Sequence, residues 1–177
     1  MLLDVIRTLG ATAAVFVAAL LLISAAHKWR HRDRLTASVA TLTGLPLAVA
    51  PLGLVAAGTV EVAAAILMFL PATIAVGGML AAGLWFAYLT SLVAALARGR
   101  RSFDCGCSFG EHPAPLGWFA ILRNLTLMAL ALMVAAVPPL TSPATDAGAL
   151  LGGFAFLTLY VAIDQIAALK PLANRRR

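Results

Sequence analysis

The 177-residue chain carries little charge, few aromatic residues and only two cysteines. Charged side chains make up 11% of the sequence, against about a quarter in an ordinary soluble domain. So few charges cannot cover a water-facing surface, which excludes an ordinary soluble domain. The apolar composition is the opposite of that of a disordered segment, which excludes disorder. Two cysteines exclude a disulfide-rich secreted scaffold. The apolar runs are continuous rather than alternating, which argues against a membrane β-barrel.

What the chain has instead is apolar sequence, with 62% hydrophobic residues and a mean hydropathy of +0.98. A helix needs about 20 apolar residues to cross the hydrocarbon core of a bilayer. Five segments are long enough, so we predict an all-α, polytopic membrane helical bundle forming a single domain over residues 1–177. For residues 33–49, a short helix on the inner interface and a polar linker both remain open. The predicted spans are residues 8–26, 50–70, 72–97, 116–137 and 148–169.

The basic residues indicate how the chain crosses the membrane. The net charge is +6, yet Lys and Arg lie in short connectors rather than in one stripe, so we predict a lipid bilayer and no nucleic acid as partner. With the N-terminus outside, Arg7 stands alone on the outer face. The positive-inside rule then predicts a multi-pass inner (plasma) membrane protein whose C-terminus and third connector are cytoplasmic. The basic residues of the inner face are Lys28, Arg30, Arg32, Arg34, Arg98, Arg100, Arg101, Lys170, Arg175, Arg176 and Arg177.

The connector after the third span contains Cys105-Gly106-Cys107. Two thiols one residue apart can close only a strained disulfide ring, and strained disulfides exchange readily. Cys105 and Cys107 are therefore candidate catalytic residues for thiol–disulfide chemistry. The same pair could instead bind a soft metal such as Cu(I) or Zn(II), or have no role. A zinc site needs four ligands and no recognised spacing supplies the others, so we favour redox chemistry and predict no metal site.

Polar residues inside the spans form a second candidate site. Glu61 falls near the middle of the second span, where an ionised carboxylate has to be neutralised, paired or placed beside a cavity. Arg123 and Asn124 fall in the first part of the fourth span. Arg123 can either bridge to Glu61 or extend back to the inner interface. A functional interpretation makes Glu61 a proton site or a contact for a quinone-like ligand, whereas a structural one makes Glu61 and Arg123 a buried ion pair, which we favour.

Two further charged residues are predicted to have ordinary roles. Lys28, at the inner end of the first span, is interpreted as an interfacial anchor. Asp164, with Lys170, is interpreted as charge at the end of the last helix.

Between about residues 24 and 137 the chain resembles the MauE branch of the MauE/DoxX group of redox-associated membrane proteins. The distinctive part is Cys-Gly-Cys followed by Phe-Gly. Ser108, inserted between Cys107 and Phe109, departs from the family pattern, and the fifth span and arginine tail lie outside the resemblance. The matching segments are Ser24-Ala25-Ala26-His27-Lys28-Trp29-Arg30, Val60-Glu61-Val62, Arg98 through Cys107, and Leu122-Arg123-Asn124-Leu125.

The resemblance implies a four-helix DoxX-like core, here with a fifth C-terminal transmembrane helix, that acts with a thioredoxin-like partner. The family is named for methylamine utilisation and is associated with maturation of a disulfide-rich dehydrogenase subunit. It implies a thiol–disulfide oxidoreductase, or an accessory to one, that uses Cys105 and Cys107. Structural or ligand-facing roles are implied for Lys28, Glu61, Arg123 and Asn124.

One dithiol cannot carry electrons across a bilayer, so a quinone, a second protein or a moving loop has to complete the circuit. The quinone is the one cofactor we consider. Two alternatives to the redox function remain. The first is a membrane protein that binds or transports a soft metal with the same dithiol, and the second is a non-catalytic assembly subunit.

Overall fold

The computed structural model describes residues 2–99, 118–137, 143 and 146–174, and all regular structure in those ranges is α-helical. This confirms the predicted polytopic helical bundle. Cys105 and Cys107 lie outside the described residues. The helices are α1 (Leu2–Arg30), α2 (Arg32–Thr43), α3 (Ala50–Phe69), α4 (Ile74–Ala97), α5 (Trp118–Ala136) and α6 (Ala147–Asn174).

Five of these helices, α1 and α3 to α6, are long and apolar enough to cross a membrane. Each coincides with a predicted span, but α1 begins six residues before residue 8 and α6 continues past residue 169 to Asn174. Many large apolar side chains on these helices are exposed, as expected where the solvent is lipid.

The segment after α1 is helical rather than a polar linker, which settles the alternative that the sequence left open. Helix α2 buries Leu35 and Leu42 and ends at Gly44, whose φ of +80° is a left-handed conformation that glycine adopts at little cost. The Gly44 N–H closes the helix by donating to the carbonyl of Ala40.

Close packing of α4 between α3 and α5 depends on adjacent glycines. A Cβ on Gly77 would lie 2.8 Å from the Ala64 carbonyl of α3, and one on Gly78 would lie 2.8 Å from the Ala131 carbonyl of α5. Gly78 is near the beginning of α4 and Ala131 near the end of α5, so the two helices run antiparallel. Small residues at membrane helix interfaces allow this approach of backbones.

One end of the bundle gathers the end of α1, all of α2, the beginning of α3 and the end of α4. There the Arg98 guanidinium donates a 2.6 Å hydrogen bond to the carbonyl of Leu42, and Leu42 packs against Leu92 and Ala95. Because α5 is antiparallel to α4, it begins at this same end. The connector that carries Cys105 and Cys107 is therefore attached to this end on both sides.

Candidate functional site

Helix α1 contributes a buried lysine to the interior of the bundle. Lys28 is 3% exposed, and its Nζ donates to Ser24 Oγ at 2.7 Å and to Glu61 Oε1 at 2.6 Å. Ser24 and Lys28 are four residues apart, so they lie on the same face of α1. Lys28 Nζ also lies 5.3 Å from the centroid of the Tyr88 ring, a cation–π distance. This face of α1 is thus joined to both α3 and α4.

Glu61 is the centre of this group, and its two carboxylate oxygens have different surroundings. Oε1 accepts three hydrogen bonds, from Lys28, from Ser24 Oγ at 2.9 Å and from the Tyr88 hydroxyl at 3.0 Å. Oε2 is buried and accepts none from the residues that the structure describes. The carboxylate is 1% exposed, so its charge is balanced by Lys28 rather than by water.

A second buried ion pair joins α5 to α6. Arg123 Nη1 lies 2.8 Å from Asp164 Oδ1, and both side chains are less than a tenth exposed. Among the described residues, helix α6 packs mainly on α1 and makes little backbone contact with α5. This ion pair is therefore a polar connection between two helices that otherwise approach each other only loosely.

These contacts correct four interpretations made from the sequence. Glu61 and Arg123 do not pair with each other, because the carboxylate of Glu61 binds Lys28 while Arg123 binds Asp164. Nor does Arg123 extend to the interface, since it is 9% exposed inside the bundle. Lys28 is not an interfacial anchor, and Asp164 is not a charge at a helix end, because each is buried in an ion pair. Both side chains are buried counter-ions.

The two ion pairs meet at a small cavity. Glu61, Arg123 and Asn124 line it together with Ser24, Tyr88 and Tyr160, and its volume is about 20 Å³. Asn124 is 1% exposed and anchors its own amide to the carbonyl of Ala120 at 2.9 Å. The sequence-predicted trio is thus brought together, around a space that holds about one water molecule.

A larger cavity lies on the other side of Tyr88. It has a volume of about 300 Å³ and is bounded by α2, α3 and α4, with Lys28 and Tyr88 contributing polar groups. Most of the other lining residues are apolar or small. Its size is at the lower end of the range for small-molecule sites, about 300–1,000 Å³.

Within the described ranges, no group of three or more His, Cys, Asp or Glu side chains is arranged to hold a metal ion. The cysteine pair is outside those ranges, so the soft-metal alternative for residues 105 and 107 stays a prediction.

The sequence comparisons agree with the resemblance noted above. The family model of methylamine utilisation protein MauE matches residues 6–137, three quarters of the chain. The chain belongs to the MauE family. Methylamine utilization protein MauE of Paracoccus denitrificans is 29% identical over 158 residues, covering 88% of this chain and 85% of that protein. The protein of the same name from Methylophilus methylotrophus is 33% identical over 135 residues, covering 74% of this chain and 70% of its own. No solved structure gives a significant match.

The matched region contains Lys28, Glu61, Arg123 and Asn124, but the counter-ion Asp164 lies beyond its end at residue 137. Reasoning from the sequence missed Ser24, Tyr88 and Asp164 as members of the site. A usable signal existed for Asp164, the lone acidic residue inside the fifth predicted span, because an intramembrane charge requires a partner. Tyr88 had no such signal, since tyrosine is common in membrane helices.

Proposed function

We propose that this MauE family protein serves methylamine utilisation as a membrane thiol–disulfide redox protein. Cys105 and Cys107 cycle between dithiol and disulfide with a thioredoxin-like partner and support disulfide formation or maturation of exported proteins. The observation that carries the proposal is the Cys-Gly-Cys pair in the connector between α4 and α5. The names of the two curated relatives support the pathway.

The exchange is a two-electron reaction without loss or gain of sulfur. A thiolate of the partner attacks one sulfur of the Cys105–Cys107 disulfide, forms a mixed disulfide and releases the other sulfur as a thiolate. The second partner thiolate then attacks the mixed disulfide. The partner leaves as a disulfide, and the pair holds two more electrons and, after protonation, two protons. The reverse sequence of attacks oxidises the pair again.

The buried polar groups contribute rigidity to this arrangement. The bonds among Lys28, Glu61 and Tyr88 join α1, α3 and α4, and the bond between Arg123 and Asp164 joins α5 to α6. The connector begins at the end of α4 and finishes at the beginning of α5. Its two attachment points therefore belong to helices held by these bonds. The connector that carries the cysteines thus has a fixed position at both of its ends.

Replacing one cysteine tests the proposal directly. With Cys107→Ser, Cys105 cannot be released by its neighbour, so we expect a mixed disulfide with the partner to accumulate. It is measured as a band of higher mass on a non-reducing gel of cell membranes that disappears after reduction. The adjacent Ser108→Ala variant is the control and forms no such band.

The double variant Cys105→Ser/Cys107→Ser is expected to abolish complementation of growth on methylamine in a strain that lacks the protein. Full growth with the double variant would contradict the redox proposal and indicate a non-catalytic assembly subunit. Stoichiometric Cu(I) or Zn(II) on the reduced wild-type protein, lost in Cys105→Ser, would identify the pair as a metal site instead.

The proposed orientation places the N-terminus outside the plasma membrane and the connector in the cytoplasm. Arg30, Arg32, Arg34 and Arg98 lie at the end of the bundle to which that connector is attached, which supports this orientation. Lys28 is buried against Glu61 and no longer counts as a connector charge.

A membrane-impermeant maleimide added to intact cells should therefore leave Cys105 and Cys107 unmodified until the membrane is permeabilised. As the control, Ala72→Cys in a background without the native cysteines places a thiol in the exposed turn between α3 and α4, at the opposite end. That thiol should react in intact cells. Labelling of the native pair without permeabilisation would reverse the orientation.

A further inference from the structure

The cavity between α2, α3 and α4 has the features of a ligand site. It extends from Leu45, at the end of the bundle, to Val60 in α3 and Leu84 in α4. The α3 residues that line it run from Gly53 to Val60, so the cavity extends about 10 Å along that helix. Its walls are mainly apolar, and the side chains of Lys28 and Tyr88 line it with polar groups.

Lys28 retains hydrogen-bonding capacity at this cavity. An ammonium group has three N–H donors. Two of them are used by Ser24 Oγ and Glu61 Oε1, which are the acceptors of Nζ among the described residues. The third donor has no oxygen acceptor among the described residues, where Nζ otherwise lies 5.3 Å from the centroid of the Tyr88 ring, and it can donate to an oxygen of a bound molecule. A buried donor with no acceptor is costly, which favours a ligand that supplies one.

The buried ion pair of Lys28 and Glu61 favours a ligand with a neutral head group. Lys28 is already neutralised by Glu61 at 2.6 Å. An anionic head group, such as a lipid phosphate, would bring a second negative charge beside the buried carboxylate, and like charges in an apolar environment repel strongly. A neutral carbonyl oxygen can accept from Lys28 without this penalty.

We propose that this cavity binds the head group of a lipid-soluble quinone, with a quinone oxygen accepting from Lys28 and the ring between α3 and α4. The choice of a quinone among neutral lipophiles rests on the proposed function. Oxidation of a dithiol to a disulfide releases two electrons and two protons, and reduction of a quinone to a quinol consumes the same number. The polar cavity at Glu61, Arg123 and Asn124 has only about 20 Å³ and cannot contain the ring.

Photolabelling of the full-length protein tests the site. A decylubiquinone analogue with an azido group on the ring is bound to the purified protein and illuminated, and the labelled peptides are identified by mass spectrometry. We expect label on peptides of α2, α3 or α4, and we expect excess decylubiquinone to prevent it. Decylbenzene, which has the same tail but no oxygen, should not compete. Competition by decylbenzene or by phosphatidylglycerol would overturn the proposal, as would label confined to α5 and α6.

Two alanines of α3 provide a matched pair of variants. Ala56 and Ala63 are both exposed and lie two turns apart on one face, but only Ala56 lines the cavity. Ala56→Phe fills the cavity and should reduce competable labelling at least about tenfold, whereas Ala63→Phe should change it by less than about twofold. Ala87→Phe, which enters the cavity from α4, should act like Ala56→Phe. Equal labelling of all three variants would exclude this cavity as the site.

The double variant Cys105→Ser/Cys107→Ser separates this proposal from the proposed function. It should still be labelled like the wild type, because binding requires no thiol. If it is labelled but supports growth on methylamine, the redox function fails and the quinone site stands. If the wild type exchanges disulfides but is not labelled, the site fails and the redox function stands.

Discussion

Replacing Lys28 by methionine should lower the free energy of unfolding by about 3–5 kcal/mol, the usual cost of removing one partner from a buried ion pair. The reason is the position of Glu61, whose carboxylate is 1% exposed and would lose its counter-ion. Methionine fills nearly the same volume, so the loss is one of charge rather than of packing. Thermal unfolding in detergent, followed by loss of helical circular dichroism, measures the effect.

The double variant Lys28→Met/Glu61→Leu identifies the cause of this loss. It removes both charges together, so most of the stability should return, since replacing a buried ion pair by apolar residues is often close to neutral. The exposed pair of Arg32 and Asp33, 3.8 Å apart, is the control. Arg32→Ala should have no measurable effect, because exposed ion pairs contribute little. A double variant as unstable as Lys28→Met would show that the unpaired carboxylate of Glu61 is not the cause of the loss.

The fold followed from the sequence because the signal for a membrane helix is long and local. About 20 consecutive apolar residues are sufficient to indicate a span. The short helix α2 was harder to predict, since its apolar residues are interrupted by threonines and its stability comes from Leu35 and Leu42 packing on other helices. Tertiary contacts of this kind leave only a weak periodic pattern in the sequence.

The identity of the buried residues was predictable, but their partners were not. A charge inside a span marks Glu61 and Arg123 without any structure, because burial of an unpaired charge is expensive. Which cation binds which carboxylate depends on the rotation and depth of each helix. The long side chain of Lys28, at the end of α1, turns inward to Glu61, and Asp164 of α6 approaches Arg123. Residue counts along one helix give depth but not rotation against its neighbours.

The ion pair between Arg123 and Asp164 also connects the region that the family model matches to the last helix. The family model matches the chain up to residue 137, and Arg123 lies within that match but finds its counter-ion on α6. Helix α6 is held to α1 by packing that includes the edge-to-face contact between Phe16 and Tyr160, with ring centroids 5.9 Å apart. Arg123 of α5 thus depends for its counter-ion on α6, and α6 is positioned by its packing on α1.

Replacing Asp164 by leucine should therefore destabilise the bundle by about 3 kcal/mol or more, since it removes a buried carboxylate 2.8 Å from the Arg123 guanidinium. Asp164→Leu has a second expected consequence, weaker attachment of α6 to α5, because the described backbones of these two helices approach each other closely at few other places. Thermal unfolding measures the first effect. Limited proteolysis between residues 137 and 147 measures the second, and cleavage should become faster in the variant.

A double-mutant cycle separates this ion pair from other effects of the substitutions. Asp164→Leu and Arg123→Leu, alone and combined, should show a coupling energy of about 1–3 kcal/mol, as expected for residues in direct contact. Thr158→Ala is the control on α6, since Thr158 is exposed and bonds only to the carbonyl of Phe154 on its own helix. It should change neither the unfolding temperature nor the cleavage rate. Additive effects of the two leucine substitutions, with no coupling, would show that the contact between Arg123 and Asp164 contributes nothing to the stability of the bundle.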